Sequence, residues 1–256
     1  MSFTDATIST YTNPSFVGLD NYYESLISPG LFWSSATKTV IYIVIAVTGE
    51  FVLGLLLALL VRSVKKGAKV LTSLFVLPML CAPILAAAIF KMMIHSTAGV
   101  IPYYVKSFGL PYFSYSDPLH VLTVAALVDI WQWSSFVFII LYAGIVALPV
   151  EPFEAAKIDG ASRWQLFRHI TWPMLRPVAI IAIVFRVFDA LRSFEIPWVI
   201  FRGGPGAPVG GCTIFSIFVY RMFWLYNEMG IGAASSVIML TIISIIVSQL
   251  MKRLWK

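Results

Sequence analysis

The segment EAAKIDGASRWQLFRHITWP, residues 154–173, is polar and mixed in charge, and it interrupts a chain that is otherwise mostly apolar. Its local pattern predicts a helix–turn–helix. Pro152 suits a first helical turn, where its missing N–H forfeits no bond, and Glu154-Ala155-Ala156-Lys157 is strong helix-forming sequence. Gly160 tolerates the left-handed conformation that ends a helix. Ser162 and Gln165 have capping-box spacing, so each side chain satisfies an orphan backbone donor of the second helix. Trp164, Leu166, Phe167 and Ile170 give that helix an apolar side, and Pro173 and Pro177 are expected to end it. Two readings of such a unit stay open on local grounds: a surface loop lying on lipid headgroups, or an element that docks another protein.

The surroundings call for lipid. Of 256 residues, 59% are hydrophobic and only 12% charged, with mean hydropathy +0.88; soluble domains carry about 25% charged residues. Five stretches are long and apolar enough for a transmembrane helix: Thr37 to Val61, Val70 to Phe90, Leu119 to Leu148, Pro177 to Phe201 and Ile231 to Leu250. The fold expected is an all-α membrane protein with an external segment over 1–36 and a transmembrane domain over 37–256, its polar loop covering 149–176.

The net charge of +6 is no sign of nucleic-acid binding, because the basic residues fall in short clusters beside apolar runs. Arg62, Lys65, Lys66 and Lys69 follow the first stretch; Lys157, Arg163, Arg168 and Arg176 lie between the third and fourth; Lys252, Arg253 and Lys256 close the chain. Residues 1–36 hold no Lys or Arg. The positive-inside rule places the N-terminus outside and the C-terminus in the cytoplasm. Cys81 and Cys212 form no CxxC or disulfide framework, and His95, His120 and His169 lack metal-ligand spacing.

The polar segment resembles the EAA loop of permease subunits of ABC importers. Glu154-Ala155-Ala156, Gly160, Ile170 and Pro173 stand at the family spacing, with Trp172 where leucine is usual. Asp159-Gly160-Ala161, Trp164-Gln165 and Phe167 resemble the carbohydrate-uptake branch, of maltose and glycerol-3-phosphate type. So do Phe16-Val17-Gly18-Leu19-Asp20-Asn21-Tyr22, Trp131-Gln132-Trp133 with Phe136, Gly203-Gly204-Pro205 before Thr213, and Gly230-Ile231-Gly232-Ala233-Ala234. Ser135 departs from the family, where proline is common. The FVGLDNY element usually follows a first transmembrane helix. Only fifteen residues precede it here, so that helix is expected to be absent or truncated.

The resemblance implies a type I importer transmembrane domain in a bacterial or archaeal plasma membrane. It pairs with a second permease subunit, as a heterodimer, and receives solute from an extracytoplasmic binding protein. Its EAA residues Glu154, Ala155, Ala156, Asp159, Gly160, Ala161, Trp164, Phe167, Ile170 and Pro173 couple to a cytoplasmic ATPase dimer. ATP and Mg belong to that ATPase; this chain has no G-x-x-x-x-G-K-[ST] and no catalytic motif. The solute expected is a sugar, polyol or sugar phosphate. The alternative is a stand-alone secondary carrier or channel that uses the charged fourth stretch.

That stretch carries Arg186, Asp189, Arg192 and Glu195, and ionisable groups at such depth face a protein interior or water. Asp189, Arg192, Glu195 and Phe188 are candidates to line the solute route; an ion-pair set such as Arg186 with Asp189 is the structural alternative. Trp131 and Trp133 are route candidates or core packing, and Asp129 and Gln132 are further polar candidates. Glu50 is read as an interface hydrogen-bonder. Tyr220, Arg221 and Trp224 suggest an interfacial helix with Arg221 snorkelling.

Overall fold

The structure is a computed structural model and describes residues 1–27, 31–64, 66–109, 117–201 and 212–254. Pro29, Lys65, the Gly203-Gly204-Pro205 element and Lys256 lie outside the described residues. The described chain is all-helical apart from one isolated antiparallel bridge between Thr4 and Phe16. In order the helices are α1 (Asp20–Ile27), α2 (Leu31–Ser63), α3 (Ala68–Leu80), α4 (Pro83–Met93), α5 (Val100–Ser107), α6 (Pro118–Val146) and α7 (Glu151–Ile158). There follow α8 (Arg163–Leu166), a π-helical turn (Phe167–Thr171), α9 (Trp172–Arg192), α10 (Glu195–Phe201), α11 (Phe215–Trp224) and α12 (Met229–Leu254).

Three uninterrupted helices among the described residues are long and apolar enough to cross a bilayer: α2, α6 and the Met229–Gln249 part of α12. With 33 residues, α2 is about 50 Å long and exceeds the roughly 30 Å hydrocarbon layer. The second apolar stretch is not one straight helix. It bends by 89° between α3 and α4, because Pro83 forces Ala82 out of the helical region and both Cys81 and Ala82 are extended. The fourth stretch differs at both ends. Pro173 and Pro177 do not stop it: Pro173 enters in the first turn of α9, where the π-turn replaces the hydrogen-bond ladder its ring would block, and Pro177 lies inside the helix. The stretch then breaks at Ser193, before α10.

The scaffold is α2 packed along α6, with α9 lying against both. Small residues permit the approach: a Cβ at Gly54 of α2 would stand 2.9 Å from the backbone N of Phe138 on α6. Close backbone approach of this kind is how membrane helices gain packing energy without a hydrophobic drive between them. Two apolar clusters result. One holds Ala58, Val61, Val137, Phe138, Leu141 and Leu175; the other includes Tyr42, Ala46, Val128, Ala190, Ile200 and Phe218. α11 is not a purely interfacial helix. Its Phe215, Ile217, Phe218 and Met222 are buried in that second cluster, and Arg221 donates to Thr213 Oγ1 at 2.9 Å instead of only snorkelling.

The N-terminal segment docks on the start of α12. Asn21 donates to the carbonyls of Ser2 and Thr4 at 3.0 and 2.9 Å, Gly230 N–H donates to Ala6 O at 3.2 Å, and Asn227 Oδ1 accepts from Ile8 N–H at 2.6 Å. The FVGLDNY and GIGAA elements, far apart in sequence, are therefore one contact.

Candidate functional site

The polar loop is a stiff local structure. α7 ends at Gly160, whose φ is +80°. Ala161 N–H bonds to Ala156 O at 2.9 Å and Gly160 N–H to Lys157 O at 3.1 Å, the paired bonds of a Schellman cap. Ser162 then caps α8 with both halves of the capping box: Gln165 N–H to Ser162 Oγ at 3.3 Å and Ser162 N–H to Gln165 Oε1 at 2.7 Å. The two opposed caps bond the N–H groups of Gly160, Ala161, Ser162 and Gln165, so the angle between the helices is set by hydrogen bonds.

The loop is also tied to the bundle. Phe153 is buried, with the Arg62 guanidinium 4.7 Å above its ring. Trp164 stacks on Phe167 at 5.6 Å; Phe167 meets Trp172 at 6.4 Å, and Trp172 meets Phe51 of α2 edge-on at 6.2 Å. Trp172, where the family usually has leucine, is thus a link of this aromatic chain. Glu154, Ala155, Asp159, Gly160, Trp164 and Pro173 are exposed; Ala156, Ala161, Phe167 and Ile170 are half-buried. Ile158 is 86% exposed and Trp164 65%, an apolar display on a surface loop that gains nothing from water. Between them Ala156, Asp159, Gly160, Ala161, Gln165 and Ile170 line a depression of about 260 Å³.

From α8 the chain runs without a break through the π-turn and α9 to Arg192. Near the far end of this rod lies a buried charge cluster. Arg186 Nε and Nη2 donate to Glu50 Oε2 and Oε1 at 2.5 and 2.8 Å. Nη2 also reaches Asp129 Oδ2 at 3.2 Å, Nη1 bonds Asp189 Oδ2, and the guanidinium lies 4.7 Å from the Trp133 ring. Glu50, Asp129 and Arg186 are each at most 1% exposed. Arginine is the residue for this place, since its planar fork satisfies several carboxylates at once. The cluster joins α2, α6 and α9 between the two apolar clusters.

The route candidates divide accordingly. Asp129 sits in the cluster. Gln132 is buried too, and its Nε2 donates to Cys81 O at 2.5 Å, filling a carbonyl that the α3–α4 break leaves without a helical partner. Trp133 covers Arg186, and Trp131, 40% exposed, leans on Phe90 at 5.3 Å. Along α9 the exposure rises outward: Asp189 has 37% of its side chain exposed and Arg192 81%, the two 3.7 Å apart. Phe188 and Glu195 are exposed, Glu195 on the separate helix α10. The Arg186–Asp189 pair of the structural alternative forms, while Asp189 and Arg192 remain reachable from outside the chain, as the route reading requires.

Comparison with known proteins follows the same outline. The family described as binding-protein-dependent transport system inner membrane component matches residues 50–256. The chain belongs to this family. It is 34% identical over 224 residues to a trehalose/maltose transport system permease protein of Thermococcus litoralis, covering 87% of this chain and 74% of that one. It is 28% identical to a sulfoquinovosyl glycerol transport system permease protein of Agrobacterium fabrum, covering 93% and 76%. Its fold is similar to a chain of the bacterial alginate ABC transporter solved with an alginate pentasaccharide-bound periplasmic protein, with TM-score 0.78, 21% identity and coverage of 90% and 80%. The chain is a multi-pass permease subunit of an ABC importer, all-helical and of the type I fold.

Several structural groups belong to no motif of the sequence. Tyr42 is fully buried and pairs its hydroxyl with Ser193 Oγ at 3.3 Å, and Ser216 donates to Ser193 O at 2.7 Å. Both meet the break after α9. The one sequence signal was a tyrosine within an apolar span, where a hydroxyl needs a partner.

Proposed function

We propose that this subunit forms half of the pathway for a sugar or sugar-like solute, a polyol or sugar phosphate, and that a separate ATPase drives it through the 149–176 loop. The carrying observation is the doubly capped turn at Gly160 and Ser162 with Ile158 and Trp164 exposed beside it. A force-bearing contact needs a rigid shape and an apolar surface, and this loop has both. The solute class rests on the relatives, a trehalose/maltose and a sulfoquinovosyl glycerol transport system permease protein. A periplasmic protein accompanies the alginate importer, and the same kind of donor is proposed here.

In this reading the loop faces the cytoplasm with the C-terminus, and the N-terminus lies outside. A second permease subunit completes the route, and ATP with Mg is bound by the ATPase alone. Glu154, Ala155, Ala156, Asp159, Gly160, Ala161, Trp164, Phe167, Ile170 and Pro173 form or support the coupling surface. Asp189 and Arg192 offer hydrogen bonds to solute hydroxyls, with Phe188, Trp131, Trp133 and Glu195 beside them and Asp129 and Gln132 behind. Aromatic faces suit the apolar faces of sugar rings.

The test is a single cysteine at Ile158 or Trp164 in the assembled importer. It should cross-link to the ATPase subunit, and the cross-link should stop solute-stimulated ATP hydrolysis in proteoliposomes. Solute flux through the purified chain alone, or labels at both positions that stay open to water in the assembled importer, would overturn the reading.

A further inference from the structure

The polarity of α1 is inverted relative to a helix of a water-soluble protein. Its buried residues are Asn21 and Ser25, both polar and both bonded inward. Asn21 holds the Ser2 and Thr4 carbonyls, and Ser25 Oγ donates to Asn21 O at 2.6 Å and accepts from Ser235 of α12 at 3.1 Å. Its outward side is apolar: Leu19 is 67% exposed, Tyr23 69%, Leu26 43% and Ile27 57%. These positions recur at helical spacing and form one stripe, roughly opposite Asn21 and Ser25. The acidic pair Asp20 and Glu24, both exposed, falls on the flank between the two.

A helix with one flank to protein, one to hydrocarbon and one to water needs these three faces. In water the Leu19–Tyr23–Leu26–Ile27 stripe would be a cost with no return. The stripe also leads into an exposed apolar side of α2, where Trp33, Val40 and Val44 are each about half exposed. Trp33 joins the two elements, donating from its indole Nε1 to Leu26 O at 3.0 Å. Tryptophan and tyrosine favour the boundary between headgroups and acyl chains, and this segment carries no basic residue that would draw it to headgroup phosphates.

We infer that α1 is an in-plane membrane anchor, its apolar stripe seated in the phospholipid bilayer at the headgroup–acyl boundary and its Asp20–Glu24 flank in water. The Ser235–Ser25 hydrogen bond fastens that anchor to α12, so the height of α12 in the bilayer is referenced to the lipid surface through α1. Which leaflet receives it follows from the orientation proposed above; the embedding itself does not depend on that orientation.

The experiment uses the assembled importer in lipid nanodiscs, with Cys81 and Cys212 replaced and single cysteines placed at Tyr23, Leu26 or Glu24, each carrying an environment-sensitive fluorophore. Labels at Tyr23 and Leu26 should be quenched by shallow spin-labelled phospholipid at least about twofold more than by aqueous iodide, and the label at Glu24 the reverse. Tyr23 and Leu26 are exposed, so each variant tests the anchor independently of the other. Iodide quenching at Tyr23 and Leu26 equal to that at Glu24 would show a water-facing helix. Shielding from both quenchers would show a protein cover such as the second subunit. Either result overturns the anchor, and neither touches the coupling-loop reading.

Discussion

Arg186 and Glu50, 136 residues apart in sequence, meet as a bidentate pair with Nε–Oε2 at 2.5 Å and Nη2–Oε1 at 2.8 Å, both side chains buried. Neither ion is tolerable alone in this interior. Removing Arg186 leaves the buried carboxylates of Glu50 and Asp129 without their counter-ion, a loss of about 3–5 kcal/mol where such pairs are dry, whereas removing Glu50 leaves Arg186 with Asp129 and Asp189. Arg186→Leu and Glu50→Leu should each cut the yield and lower the thermal stability of the assembled complex. The double variant should lose less than the sum of the two, because Glu50 no longer stands buried without Arg186, Asp129 alone keeping that deficit. Additive losses in a thermal-shift series would place the stability of α2 and α9 elsewhere.

Asp189 and Asp129 touch the same guanidinium but differ in exposure, 37% against 1% of the side chain. Asp129→Ala should impair assembly by about 3 kcal/mol, as for any broken buried pair. Asp189→Ala should cost at most about 1 kcal/mol, since solvent reaches it, and should change the solute uptake rate of a normally assembled importer. Size-exclusion yield with proteoliposome uptake separates the outcomes. An Asp189→Ala complex that fails to assemble would make Asp189 structural.

Gly160 has φ +80°, yet a Cβ built there would meet nothing within 4 Å. The requirement is therefore conformational and not spatial. Gly160→Val should strain or refold the turn by about 1–2 kcal/mol, while Gly160→Asn, which accepts the left-handed region, should be mild. Valine should lower the solute moved per ATP hydrolysed and asparagine should leave that ratio near wild type. Equal behaviour of the two would remove the backbone argument.

Gly230 faces the opposite problem. A Cβ there would lie 2.2 Å from Thr4 O and 2.8 Å from Asn21 Nδ2, so Gly230→Ala must push the N-terminal segment off α12, at a cost of about 1–3 kcal/mol for overpacking. Limited proteolysis should cut residues 1–19 several-fold faster in the variant, with the helical content of the bundle unchanged. An unchanged cleavage rate would mean that the segment is held mainly by α2.

Much was legible because it is local. The apolar runs announced a helical membrane protein, and the Glu-Ala-Ala, Gly160 and Ser162–Gln165 spacings announced a capped turn, since caps join residues only a few positions apart. The break at Pro83 had a visible cause in the proline, although the run from Val70 to Phe90 reads as continuous oil.

What the sequence alone determined was composition, helix-forming periods and short-range hydrogen bonding. Tertiary structure decided which charges meet. Arg186 had a local partner at Asp189 in the sequence, but its bidentate partner is Glu50 on another helix, and Gln132 and Ser193 acquired their places only when helices broke beside them. Tertiary structure also turned the polar side of α1 inward. The physical reason is range: a helix is closed by bonds between neighbours in the chain, whereas desolvating a charge, or assigning a face to lipid, depends on which distant segment arrives to cover it.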